Sequence, residues 1–148
     1  MADNVKILFV DDDNFLRKVY QSELGDRGYD VILAVDGEEG LEKARTNDPD
    51  LIILDMIMPK KNGFEVLMEL QEDEKTKNIP VIILSNLGQE DDVKKGLDLG
   101  AVDYLIKDDI TLTAIMDKVN QYLHSKSQSK EAKTNGNGGA EEKQNKPQ

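Results

Sequence analysis

Cysteine and tryptophan are both absent from the 148-residue sequence. Without thiols the chain can form neither a disulfide staple nor a thiolate metal site, which fits a reducing, cytoplasmic compartment. Long hydrophobic runs are absent too: nothing approaches the roughly 18 consecutive apolar residues of a membrane-spanning helix. Met1–Asn4 leads straight into Val5–Val10 without the charged region, apolar stretch and cleavage site of an export signal. The expectation is a cytoplasmic protein with no membrane partner. Basic clusters free of interspersed acids are also missing. The formal net charge is −11, and because the stretch after His124 is net basic, the part before it is more acidic still. A DNA-reading surface needs a basic stripe to neutralise phosphates, so no nucleic-acid partner is expected. The length suits one domain of roughly 100–150 residues.

What the sequence does contain is a fivefold alternation. Short apolar runs at Val5–Val10, Val31–Val35, Leu51–Leu54, Val81–Leu84 and Val102–Ile106 are each followed by a polar turn and a segment with helical spacing. The runs are continuous rather than alternating, as in strands of a parallel sheet buried on both faces by helices. The second is the weakest and is expected at an edge. Phe15, Leu16, Val19, Tyr20 and Leu24 form one helical stripe, and Leu41 with Ala44 a narrower one behind the N-cap candidate Asp36. Glu39 completes a capping-box spacing with Asp36. A third helix begins after Asn62-Gly63 and is expected to bury Phe64, Val66, Leu67 and Leu70. The fourth, about Gln89–Leu99, contains Gly96, which costs about 0.5–1 kcal/mol relative to alanine, so it is expected to be the least rigid. The last opens at Thr111, with Leu112, Ile115, Met116, Val119 and Leu123 on one face. Residues 1–124 are read as the domain. Residues 125–148, rich in Ser, Gln, Lys, Asn and Gly, are read as a polar tail unable to offset its ordering entropy.

Ligands of an open parallel sheet collect beyond the carboxyl ends of its strands, where the strand order reverses. Those ends carry Asp11-Asp12-Asp13, Asp55, Ser85-Asn86 and Lys107-Asp108-Asp109. Gathered carboxylates repel by about 1–3 kcal/mol per pair near 5 Å, so they call for a cation. Oxygen ligands suit Mg²⁺, or Mn²⁺ in its place. Asp12 and Asp55 would each supply an oxygen, Asp11 would act through an oriented water, and a backbone carbonyl just after Asp55 could add a third direct ligand. Phosphoryl transfer needs mainly positioning and charge neutralisation. Asp55, following four apolar residues, is the best nucleophile candidate; Ser85 and Lys107 would hold phosphoryl oxygens. Taken singly, each residue has a plainer use: Asp13 as an N-cap, Tyr104 as a partly buried edge-strand aromatic, His124 as a solvated helix-end residue.

At these residues, over about 4–123, the sequence resembles the response regulator receiver domain of two-component signalling. The resemblance implies a flavodoxin-like, doubly wound α/β fold with a five-stranded parallel sheet of order 2-1-3-4-5 and helices on both faces. It implies that Asp11 and Asp12 are the acidic metal-binding pair, Asp55 the phosphorylated aspartate and Ile57 the donor of a backbone carbonyl to the metal. Met58-Pro59 with Asn62-Gly63 resembles the family's loop signature. Ser85, Tyr104 and Lys107 take the positions of the switch hydroxyl, the switch aromatic and the phosphoryl-binding lysine. A histidine kinase or histidine phosphotransfer protein would be the phosphoryl donor, and phosphorylation would switch the face formed by the fourth helix, fifth strand and fifth helix toward an unidentified downstream protein, with Tyr104 turning inward. Such a protein modifies itself and is not a turnover enzyme. Asp108 stands where the family usually has proline, which suggests a mobile loop and a competitor for the Lys107 ammonium; Asn86 stands where a small residue is common. With no output domain after the fifth helix, a stand-alone receiver is expected. The alternatives are a haloacid dehalogenase-like phosphatase, favoured by the D-x-D spacing of Asp11 and Asp13 but not by Phe15, and an unphosphorylated scaffold. A flavodoxin-type cofactor site is disfavoured, because an acidic loop repels a flavin phosphate.

Overall fold

The structure is a computed structural model that describes residues 4–135. The chain divides into two compact units, Met1–Thr111 and Leu112–Gln148. The first holds β1 (Lys6–Val10), α1 (Asn14–Asp26), β2 (Asp30–Ala34), α2 (Gly37–Asn47), β3 (Leu51–Leu54), α3 (Gly63–Glu72), β4 (Val81–Ser85), α4 (Glu90–Asp98), β5 (Asp103–Ile106) and a 3₁₀ turn at Lys107–Asp109. The second holds α5 (Leu112–Asn135).

All four strand pairings are parallel, in the order β2-β1-β3-β4-β5. The central strands read as they do because both faces are covered: β1 from Ile7 onward, β3 and β4 are buried throughout, while β2, the weakest run, is a half-buried edge. Leu8, Val10, Ile52, Leu54 and Ile83 point to the side where Leu41, Ala44, Val66, Leu67 and Leu70 of α2 and α3 close a core. On the opposite side the Phe9 ring stacks on Tyr20 of α1 at 4.5 Å. Right-handed crossovers account for this division, since α1 leads to β2 on one side of β1 while α2 to α4 advance the sheet the other way. Each fully buried Leu, Ile or Phe contributes about 1.5–3 kcal/mol, so the sheet's interior strands are the rigid base on which its carboxyl ends are presented.

Three local expectations change. Phe15 does not join the buried stripe; it is 71% exposed. At 100° per residue it lies roughly 140° around the helix from the middle of the Leu16, Tyr20, Leu24 face. The Glu39 side chain accepts from the Val35 N–H at 2.7 Å rather than from Asp36, although Asp36 caps α2 through the Glu39 N–H at 2.9 Å. The reciprocal capping box sits one helix later: Asn62 accepts from the Glu65 N–H at 3.0 Å and Glu65 from the Asn62 N–H at 2.9 Å. In α5, Ile115, Met116 and Val119 are buried as their spacing predicts. The helix carries regular backbone through Asn135, past the expected start of the polar tail at residue 125; residues 136–148 of that tail lie outside the described residues.

Candidate functional site

β1 and β3 are adjacent and end in register, Val10 opposite Leu54, so the residues that follow them, Asp11 and Asp55, emerge side by side. One carboxylate oxygen from each of Asp11, Asp12 and Asp55 falls within 4.8 Å of the others. Asp11 and Asp55 are buried, at 1% and 6% exposure, whereas Asp12 faces solvent. An all-oxygen, triply acidic set open on one side fits a hard divalent cation that keeps part of its water shell.

The Asp11 carboxylate accepts from the Asp13 N–H at 2.9 Å and from the Lys107 ammonium at 2.8 Å. Lys107 also reaches Asp55 Oδ2 at 3.5 Å. The two buried carboxylates therefore share one ammonium. Burial pushes the Asp11 carboxyl above its ordinary value, and the hydrogen bond from Lys107 only partly offsets it. At Lys107 burial works against the charge, but the hydrogen bond to Asp11 and the field of Asp55 outweigh it, holding the ammonium above its ordinary value. The Arg17 guanidinium donates to the Asp11 carbonyl at 2.9 Å, fixing the backbone at the start of the acidic loop. Sequence reading missed Arg17, whose only local signal is its place one turn into the following helix.

Asp55 is framed by its own loop. Its Oδ1 accepts from the Met56 N–H at 2.7 Å and lies 3.5 Å from the Ile57 nitrogen. The Gly63 N–H donates to the Met56 carbonyl at 2.9 Å. A Cβ at Gly63 would stand 2.3 Å from the Asp55 carbonyl oxygen, so only glycine lets the chain return this closely to the strand end. Ile57 is 60% exposed beside the acidic cluster.

Ser85, the last residue of β4, is fully buried, and its Oγ accepts from the Leu87 N–H at 3.2 Å. Tyr104 is 8% exposed, and its hydroxyl donates to the Leu87 carbonyl; burial pushes its phenol up to about 12. Tyr104 is thus seated inward, bonded to the loop that follows Ser85. Asp13 accepts from the Leu16 N–H at 3.1 Å, capping α1. Asp108 does not compete for Lys107: the ion-pair partners of that ammonium among the described residues are Asp11 and Asp55. Its backbone N–H instead donates to the Asn86 side chain at 3.0 Å.

Comparison with known proteins agrees with this geometry. Residues 7–120 match the response regulator receiver domain family. The chain is 46% identical over 102 residues to the DNA-binding dual master transcriptional regulator RpaA of Synechocystis, covering 69% of this chain and 42% of that protein. The receiver domain of the Francisella response regulator 1452 superposes with a TM-score of 0.76 at 33% identity, covering 84% of this chain and 99% of that one. CheY in the CheX–CheY–BeF3–Mg²⁺ complex of Borrelia burgdorferi superposes with a TM-score of 0.72 at 31% identity, over 80% and 88% of the two chains. The chain spans about two fifths of the length of the curated relatives it matches.

Two expectations are corrected by these relatives. The absence of a nucleic-acid partner was expected from acidity, yet a relative is itself DNA-binding. Acidity of a receiver segment speaks only of that segment's own surface, and the relatives extend well beyond the matched part. For the same reason the stand-alone reading gains no support. Among the described residues no helix is long and apolar enough to cross a membrane. From the family match over most of its length and the acidic strand-end site, this chain belongs to the response regulator receiver domain family.

Proposed function

We propose that the chain is a phospho-acceptor switch in which Asp55 takes a phosphoryl group from a phosphohistidine of a histidine kinase or histidine phosphotransfer protein. The observation that carries this reading is the meeting of Asp11, Asp12 and Asp55 oxygens within 4.8 Å, with Lys107 reaching both buried members. Asp12, Asp55 and the carbonyl of Ile57, with Asp11 through water, are the groups that would hold Mg²⁺ or Mn²⁺, as the Borrelia relative's complex contains Mg²⁺. Bound there, the cation would supply charge neutralisation for the phosphoryl oxygens.

A carboxylate oxygen of Asp55 attacks phosphorus in line, the phosphorus–nitrogen bond breaks, and its electron pair leaves with the donor imidazole. The product is an acyl phosphate. Lys107 exchanges part of its pairing with Asp11 for a phosphoryl oxygen. The Ser85 hydroxyl, which already accepts from Leu87, keeps its proton for donation to another. That donation pulls on the loop between β4 and α4, whose Leu87 carbonyl is held by Tyr104, and so biases the α4 and β5 face. The protein consumes one phosphoryl group per event and is not a turnover enzyme. We take residues 1–124 as the receiver, residues 125–148 as its tail, and the cytoplasm as its setting. In a protein of the relatives' size the switched face would govern a DNA-binding segment.

Incubation with a small phosphodonor and Mg²⁺, followed by intact mass, tests the reading. One added phosphoryl group is expected, absent without Mg²⁺ and absent in Asp55→Asn. A persistent adduct in that variant would remove Asp55 from the role. Asp13 accepts from the Leu16 N–H as the cap of α1, a use that the phosphoryl reading accommodates without giving Asp13 a chemical role.

A further inference from the structure

We propose that Asn86 is a positioning residue for the phosphoryl site, tying the loop that carries Ser85 to the turn that carries Lys107; this rests on the reading of Asp55 as phosphoryl acceptor. The parallel ladder between β4 and β5 ends where Ser85 lies opposite Ile106. Beyond that pair the two segments leave the sheet, each with one phosphoryl-binding residue at its edge. The next connection between them is a side chain: Asn86 Oδ1 accepts from the Asp108 N–H at 3.0 Å.

The turn needs such an anchor. Lys107–Asp109 is a single 3₁₀ turn that begins at Ile106 without a side-chain cap, and Asp108 and Asp109 are exposed. The Lys107 ammonium sits on four flexible carbons, so its reach toward Asp55 depends on where its own backbone is held. The loop on the other side is well seated. Leu87 is held by Ser85 through its N–H and by Tyr104 through its carbonyl, and Gly88 packs so closely on Ile106 that a Cβ there would stand 2.7 Å from Ile106 Cδ1. Asn86 passes that order on to the lysine turn. The donor in the bond is the backbone N–H of Asp108, so the carboxylate at position 108 is dispensable, while proline would remove the donor outright. Ser85 and Lys107 then move as a pair, and both meet the phosphoryl oxygens in one arrangement.

The test compares the full chain with Asn86→Ala and Asp108→Ala, measuring the rate of adduct formation from a small phosphodonor with Mg²⁺ and the exchange rate of the Asp108 amide by NMR. Asn86→Ala should form the adduct about three- to tenfold more slowly, as expected when a charged group loses its placement. Its Asp108 amide should exchange several-fold faster with a shifted proton resonance, at unchanged melting temperature. Asp108→Ala retains the N–H and should match the wild type in rate. A wild-type adduct with Asn86→Ala indistinguishable in both measurements overturns the proposal while leaving the phosphoryl reading intact. Slowing in Asp108→Ala equal to that in Asn86→Ala also overturns it, by assigning the effect to the carboxylate. No adduct on the wild type removes the phosphoryl reading, and the proposal with it.

Discussion

Asp11 and Lys107 form the closest charge pair of the site, and burial affects them unequally. Removing the Asp11 carboxylate from water outweighs what the lysine returns, so its carboxyl titrates above 3.8. A carboxyl whose folded value is raised costs stability once pH rises through the unfolded value, because the fold then holds a charge it disfavours. Asp11→Asn should therefore raise the melting temperature of the metal-free protein at neutral pH. The same variant should lose the stabilisation that millimolar Mg²⁺ gives the wild type, since only the folded site binds the ion. Thermal melts with and without Mg²⁺ check both signs. Glu39 has the opposite sign. The Val35 N–H, then Lys43, hold its carboxyl below 4.5 despite slight burial. Its contribution is present above pH 4.5 and is lost as pH falls through the folded value. Between pH 6 and pH 3, Glu39→Gln should lose less stability than the wild type, and an identical pH slope would contradict this.

At the scale of elements, α4 shows how packing overrides propensity. By propensity alone Gly96→Ala gains about 0.5–1 kcal/mol. A Cβ at Gly96, however, would stand 2.6 Å from Ile83 Cδ1 and 2.8 Å from Tyr104 Cδ2. Ile83 is in a central strand and Tyr104 is fixed through Leu87, so neither can yield freely. Overpacking of this kind costs about 1–3 kcal/mol, and Gly96→Ala is expected to be destabilising on balance. Denaturant titration decides the sign; a stabilised variant would show that α4 lifts easily from β5. Gly96 was legible as a weak point of a helix but not as a packing requirement, because its neighbours come from strands 13 and 8 residues away in the chain. Phe15 misled in the other direction: an apolar residue at a helix start matched the stripe by type while lying off its face.

For the molecule as a whole, what could be read in advance was whatever local chemistry dictates. Continuous apolar runs specify buried parallel strands, a parallel sheet specifies where ligands gather, and Asp11, Asp12, Asp55, Ser85 and Lys107 are all found at those strand ends. The bond from Asp108 to Asn86 was not legible because it depends on register between two loops, and the hold of Arg17 on the Asp11 carbonyl was not because a side chain reaching back over its own helix start leaves no spacing signal. Net acidity misled because it describes only this chain's own surface, whereas a relative that is itself DNA-binding extends beyond the matched part. The central claim concerns one oxygen–phosphorus bond, and trapping it identifies the residue directly. Borohydride reduces an acyl phosphate to an alcohol, so the chain phosphorylated with Mg²⁺ and a small phosphodonor, then reduced and digested, should carry the converted residue at position 55 and nowhere else. Conversion at position 11 or 12, or a phosphoryl group that resists reduction, would contradict the account.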